Sequence, residues 1–246
     1  MLHYVRKGSG EPLVLIHGFL GTHQIFHKVI DKLAETHEVI AIDLPGHGES
    51  KLPDNVHSVY QYAETIIQLL QHLQIPKATW IGHSFGGYIT YAAADKYKEH
   101  LVRGAAFYAT PASDNTKTKK IRDLNITAIN KFGVPAFADA RVPTYFCEMG
   151  KMEDINFAVN LAEKTSKEGA IRATMAMRDR PNQTLLLDII DFPFLIVRGT
   201  RDNWDGEFKT SNPSSFVTIS DTETSHMGML DNPDQFLTVI NRWLTS

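Results

Sequence analysis

Gly82-His83-Ser84-Phe85-Gly86-Gly87 follows the short apolar run Ala78-Thr79-Trp80-Ile81 and opens the helix-forming stretch Tyr88 to Tyr97. The pattern is strand, tight turn, helix. Such a turn lifts the serine hydroxyl clear of the backbone, and it closes only if the residues two before and two after the serine are small; both are glycine here. The helix beyond aims unpaired backbone N–H groups at the space above the hydroxyl, where a tetrahedral intermediate carries its negative charge. The motif therefore supplies a nucleophile and part of an anion hole. The same string also arises as a plain glycine-rich turn, so its chemistry rests on what the remaining chain brings to it.

Working outward, Leu13-Val14-Leu15-Ile16 and Val39-Ile40-Ala41-Ile42 are continuously apolar, the pattern of strands buried on both faces of a parallel sheet. Leu2 to Val5 reads as an edge strand and Gly8-Ser9-Gly10 as a turn. The amphipathic stretch Ile25 to Thr36 and the segment Val59 to Leu73, apolar at Ala63, Ile66, Ile67, Leu70 and Leu73, predict helices. Val102 to Tyr108 is a further strand. The rhythm then breaks: between Ser113 and Leu187 there are only helical patches, Ile121 to Phe132, Ile155 to Thr165 and Ala170 to Met177, punctuated by Pro135, Pro143 and Pro181. Alternation resumes with Phe194-Leu195-Ile196-Val197 and Phe216-Val217-Thr218-Ile219, followed by a loop holding Ser225-His226-Met227 and a closing helix, Pro233 to Leu244. The fold class is α/β, a mostly parallel central sheet flanked by helices. Residues 1–112 and 188–246 make the core, and 113–187 a helical cap inserted over the site.

Composition narrows the function. A net charge of −3 without a long basic block argues against an electrostatic nucleic-acid binder, and Lys117 to Arg122, the densest basic run, reads as a solvated helix start or loop. The single cysteine, Cys147, excludes an intrachain disulfide, and no Cys/His spacing suggests zinc. No apolar run approaches the ~20 residues that span a bilayer, and Met1 to Arg6 lacks a signal-peptide core; the expectation is a soluble, cytoplasmic protein.

A serine hydroxyl needs a base beside it and a third group to hold that base. Of the eleven histidines only His226 lies beyond residue 100, in the loop after the last strand. His17 and His83 flank site turns, while His27, His37, His72 and His100 read as helix or surface positions. For the acid, Asp202 stands at the carboxyl end of a buried strand, where ligand groups of open α/β sheets collect. Asp114, farther beyond its own strand, is the competing candidate. The order Ser84, Asp202, His226 is that of α/β-hydrolases.

Four stretches carry a resemblance to that superfamily, in its compact, cap-bearing, carboxylesterase-like form: Leu15-Ile16-His17-Gly18-Phe19, Asp43-Leu44-Pro45-Gly46-His47-Gly48-Glu49-Ser50, Gly82 to Gly87, and Gly199-x-x-Asp202 with Ser225-His226. Met177-Arg178-Asp179-Arg180-Pro181 also resembles the family's cap exit. The resemblance implies that Ser84 attacks an ester carbonyl, that His226 transfers the proton and Asp202 orients the imidazole, that the backbone N–H groups of Phe19 and Phe85 hold the oxyanion, and that no metal or organic cofactor is required. Two departures stand out. Asn212-Pro213 predicts that the helix between Asp202 and His226 shrinks to a turn, and a first strand so near Met1 leads to the expectation of a trimmed N-terminal edge hairpin.

Apolar residues of the cap, Phe132, Phe137, Tyr145, Phe146, Met149, Met152, Phe157, Met175 and Met177, are divided between core and pocket wall; those facing Ser84 would favour an uncharged, short- to medium-chain acyl ester. Two other readings stay open. The chain also resembles the menaquinone-pathway succinyl-hydroxycyclohexadiene-carboxylate synthase, a lyase that uses the same triad to eliminate pyruvate from a substrate rich in carboxylates. That family places an arginine after the double glycine, where this chain has Tyr88, and Arg122, Arg141, Arg172 or Arg178 would have to compensate. A ligand-sensing protein on the same fold could keep the whole triad.

Overall fold

The structure, a computed structural model, describes residues 1–147, 150–202 and 213–245. The apolar runs become the strands β1 (Tyr4–Lys7), β2 (Glu11–Ile16), β3 (His37–Ile42), β4 (Ala78–His83), β5 (Leu101–Phe107), β6 (Phe194–Gly199) and β7 (Val217–Thr222). They pair in the order β1-β3-β2-β4-β5-β6-β7. Only β1 runs antiparallel, against β3; every other neighbouring pair is parallel. β4 is buried along its whole length. The registers Ile16↔Gly82 and Gly82↔Ala106 bring the carboxyl ends of β2, β4 and β5 level, so the turns that leave them meet at one edge.

On the flanks lie α1 (Ile30–Leu33), α2 (Val59–His72) and α3 (Phe85–Lys96). α2 starts where Ser58 accepts the Gln61 N–H, and its stripe of Tyr62, Ala63, Ile66, Ile67, Leu69 and Leu70 is buried. The helix expected over Ile25 to Thr36 is corrected. The segment holds a 3₁₀ turn at His23–Phe26 and the four-residue α1, because Val29 leaves helical geometry (φ −122°, ψ −22°) between them. Its apolar spacing is real, since Phe26, Val29, Ile30 and Leu33 are buried, but burial does not require a continuous helix.

Between β5 and β6 stand α4 (Thr116–Arg141), a 3₁₀ turn at Val142–Tyr145, α5 (Met152–Ala162), α6 (Lys167–Arg178) and α7 (Leu186–Ile189). α4 is broken at Gly133 (φ 81°, ψ 170°), two residues before Pro135, whose missing N–H and fixed ring disfavour an unbroken helix. Two sets of contacts fix this segment, one closing its exit on its own entry and the other tying it to the turn after β3. Arg180, just past α6, donates to Asp114 and to the carbonyls of Ala112 and Met177, while Arg122 donates to the other Asp114 oxygen at 3.0 Å. At the start of α6, Ser166 donates its N–H and hydroxyl to the Gly46 carbonyl (2.9 and 3.1 Å), and the Gly46 and Gly169 backbones touch. A side-chain carbon on Gly46 would stand 2.5 Å from Gly169 Cα.

After β7 come α8 (Gly228–Asp231) and α9 (Pro233–Leu244), which buries Phe236, Ile240 and Trp243. Among the described residues no helix is long and apolar enough to cross a membrane. The expected shrinkage before Asn212-Pro213 falls largely on 203–212, outside the described residues, as does Met149.

Candidate active site

Ser84 sits in a conformation that L-residues rarely adopt, φ 52° and ψ −110°. The surrounding backbone holds it there: its N–H donates to Phe107 O (2.8 Å), and its carbonyl accepts from Tyr88 N–H (3.2 Å). Both flanking glycines are required by contact. A side-chain carbon on Gly82 would collide with the Gly86 carbonyl, and one on Gly86 with the Ile16 carbonyl. Phe85 opens α3, where the first N–H groups have no acceptor within the helix.

Ser84 Oγ lies 2.7 Å from His226 Nε2, and His226 Nδ1 lies 2.7 Å from Asp202 Oδ2. A carboxylate can only accept, so Nδ1 carries the proton and Nε2 is left to accept from the serine hydroxyl. Asp202 is placed by the turn after β6, where its N–H donates to Gly199 O (3.1 Å). The three residues expected to act together are thus in hydrogen-bonded sequence. Asp114 is elsewhere engaged, buried between Arg122 and Arg180.

His226 is fixed from three further sides. His83 donates Nε2–H to its carbonyl (2.8 Å), its own N–H donates to Tyr145 O (3.2 Å), and the Tyr145 ring lies 5.3 Å from the imidazole, centroid to centroid. Before it, Ser225 N–H donates to Asp231 Oδ2 (3.0 Å). Burial pushes the His83 imidazole well below its ordinary value, so it stays neutral beside His226. Tyr108, left-handed at φ 55°, packs its ring near both His83 and His226 and bonds its hydroxyl to Thr224 (3.0 Å). These supports were not readable from the sequence, apart from the position of His83 beside the serine.

His17 braces the facing turn. Its Nδ1–H donates to Gly18 O (2.7 Å), and its Nε2 accepts from Leu44 N–H (2.9 Å). Burial pushes its pKa down to about 4, which keeps the ring neutral and able to do both. The turn closes with Gly21 N–H on Gly18 O (3.0 Å) and carries Leu20 at φ 61°.

A cleft joins these parts, walled by Gly18 to Gly21, Ile25, His83, Ser84, Val142, Tyr145, Ala158, His226 and Met227. Of the apolar residues weighed for its wall, Tyr145 is one. Phe132, Met152 and Met175 are exposed, while Phe137, Phe146 and Met177 are buried in packing. Val142 and Ala158, which the sequence did not single out, complete the wall. Apart from the His83, Ser84 and His226 groups the surface is mostly apolar, and among the described residues no lysine or arginine lines it. Among the described residues three side chains of types able to hold a metal ion, His3, His23 and Asp43, gather outside this wall.

Comparison with known proteins bears on the fold and the family. The uncharacterized hydrolase YugF of Bacillus subtilis is 41% identical over 93 residues, which is 37% of this chain and 34% of that protein, so the match spans about a third of that relative's length. A putative 2-succinyl-6-hydroxy-2,4-cyclohexadiene-1-carboxylate synthase of the same organism is 25% identical over 97% of this chain and 92% of its own. Among solved structures, a thermophilic esterase from Thermogutta terrifontis superposes with a TM-score of 0.88 at 24% identity, covering 99% of this chain and 93% of its own, a likeness of fold. The family model for the alpha/beta hydrolase fold matches residues 11–133, the span from β2 through the serine turn into α4. With that match over half its length and the sheet order and serine turn described above, the chain belongs to the alpha/beta hydrolase fold family.

Proposed function

We propose that this protein is a serine hydrolase that cleaves carboxylic esters of short to medium acyl chain through an acyl-enzyme. The observation that carries the reading is the relay Ser84 Oγ to His226 Nε2 and His226 Nδ1 to Asp202, 2.7 Å at each link, opening on an apolar cavity. In this reading Ser84 Oγ attacks the ester carbonyl as its proton passes to Nε2. The Asp202 carboxylate supports the imidazolium that forms. The backbone N–H groups of Phe85 and Phe19 receive the oxyanion, and losing one such donor typically costs about a hundredfold or more in turnover. The Nε2 proton then goes to the leaving alkoxide, and a water repeats the sequence to free the acid.

The lyase reading has one observation in its favour, the near full-length similarity to the Bacillus subtilis synthase. Its substrate class needs cations at the site. Three of the candidate arginines are occupied: Arg122 with Asp114, Arg172 with Glu168 and the Pro53 and Asp54 carbonyls, and Arg178 with Asp123 and Asp179. Tyr88 lies under the guanidinium of Arg180, 4.0 Å from its ring centroid. The apolar wall favours an uncharged acyl group.

A panel of chromogenic esters of graded acyl length, with a phosphonate probe read by mass spectrometry, tests the proposal. Wild type should turn over short and medium esters and carry one adduct on Ser84. Ser84→Ala and His226→Ala should each lose on the order of 10⁴-fold or more in kcat. A Ser84→Ala variant near the wild-type rate would overturn the assignment. Elimination of pyruvate from a carboxylate-rich substrate with no ester turnover would decide for the lyase.

A further inference from the structure

His3 directly precedes β1 and Asp43 directly follows β3, and the antiparallel pairing Tyr4↔Ile42 sets the two side by side, with Asp43 N–H on His3 O at 2.9 Å. His23 opens the 3₁₀ turn beyond Gly21, and its N–H and ring Nδ1 lie 2.7 and 2.8 Å from Asp43 Oδ1. The donor atoms of the three side chains lie within 4.8 Å of one another. Glu49 reaches the same spot, its Oε2 3.6 Å from His3 Nδ1.

The Asp43 side chain is 1% exposed. Its carboxylate accepts from the backbone N–H groups of His23 and Glu49 and faces the His23 ring. Among the described residues its one partner of opposite charge is an imidazole, and that only when protonated. A structural pair would need His23 and Asp43 alone. A second imidazole and a second carboxylate, His3 and Glu49, stand at the same spot as a looser pair, and the ring of His3 makes no hydrogen bond among the described residues.

We propose that His3, His23 and Asp43 bind one divalent transition-metal ion of the zinc type, with Glu49 closing the coordination from the solvent side. Two imidazoles with carboxylate oxygens suit zinc, cobalt or nickel, whereas magnesium and calcium prefer oxygen alone. Bonds of about 2.0–2.2 Å put donors roughly 3.4 Å apart in a tetrahedron. Rotation of His3, 31% exposed, brings its ring in. As the ion enters, the neutral His23 ring carries its proton on Nε2 instead of Nδ1, which frees Nδ1 to bind. Asp43 stays oriented by the backbone N–H groups of His23 and Glu49, the kind of outer support that fixes a metal ligand. The ion touches no residue of the cavity wall. It ties β1 and β3 to the segment that follows the Phe19 turn, so its role is to brace and not to react.

The test uses the full chain without an affinity tag, stripped with a chelator and titrated with Co²⁺ and Zn²⁺. Expected are one equivalent of Co²⁺ with a visible ligand-field spectrum, displacement by Zn²⁺, and a thermal midpoint about 5 °C higher at a hundredfold excess over Kd. Mg²⁺ should do neither. His3→Ala, which leaves the His23–Asp43 pair intact, and His23→Ala should each weaken binding at least about tenfold, and the exposed His57→Ala should not. Absence of saturable one-equivalent binding, or an affinity untouched by both His3→Ala and His23→Ala, overturns the site.

Discussion

Gly18 occupies a position where a methyl group would stand 2.7 Å from His83 Nδ1 and 3.1 Å from Ser84 Cβ. The His83 ring has little room to retreat, because its Nε2–H is committed to the His226 carbonyl. Gly18→Ala should therefore displace the proposed base and nucleophile together. A misplacement of this size costs about a hundredfold in kcat with little change in KM, read by steady-state ester kinetics on a variant whose circular dichroism is unaltered. Full activity would mean that the His83 tether yields freely. Ser84, Asp202 and His226 were legible because each lies at a strand end or in the loop after one, where the order along the chain limits the choice. The bond from His83 to residue 226 crosses the whole molecule, and no local pattern announces such a contact. His3, His23 and Asp43 were hidden for the same reason, since metal spacing is sought within short motifs and these three meet only through strand pairing.

At the scale of elements, the buried strands were legible within one to three residues, because a continuous apolar run between turns has few other uses in an α/β chain. The stretch from Ile25 was not, since its apolar spacing fits a helix as well as the short turns that it forms. The segment between β5 and β6 showed its helices but not its attachments, which depend on single polar residues. Arg180 and Asp114 are each 3% exposed in their side chains. Removing one member of a buried pair strands the other, a loss of about 3 kcal/mol or more. Arg180→Met should lower the urea midpoint accordingly and loosen the end of α6 more than the sheet, which hydrogen exchange would resolve. An unchanged midpoint would mean that Arg122 alone satisfies Asp114.

For the whole molecule, buried imidazoles set the response to acid. His17 is held at about 4, and His83 well below its ordinary value, against about 6.5 for a free imidazole. Above pH 6.5 neither the folded nor the unfolded chain protonates them. As the pH falls from 6.5 toward 4, the unfolded chain takes up protons that the folded chain refuses, so stability drops through that window by about 3 kcal/mol for His17 alone. Asp43, held low, keeps its contribution until the pH is lower still. The thermal midpoint should decline between pH 6.5 and 4, and His17→Asn should flatten part of the slope. A midpoint constant across that range would show that the rings are protonated without loss of the fold.

The Gly46–Gly169 seam, where two backbones meet without side chains between them, also limits how this protein can change over generations. A single codon change that gives either residue a side chain forces the two backbones apart, and Gly46 at φ 78° resists one on its own account. Neither position has a viable one-step neighbour while the other keeps its place. For inheritance the two glycines therefore behave as one locus, although more than a hundred residues of chain separate them.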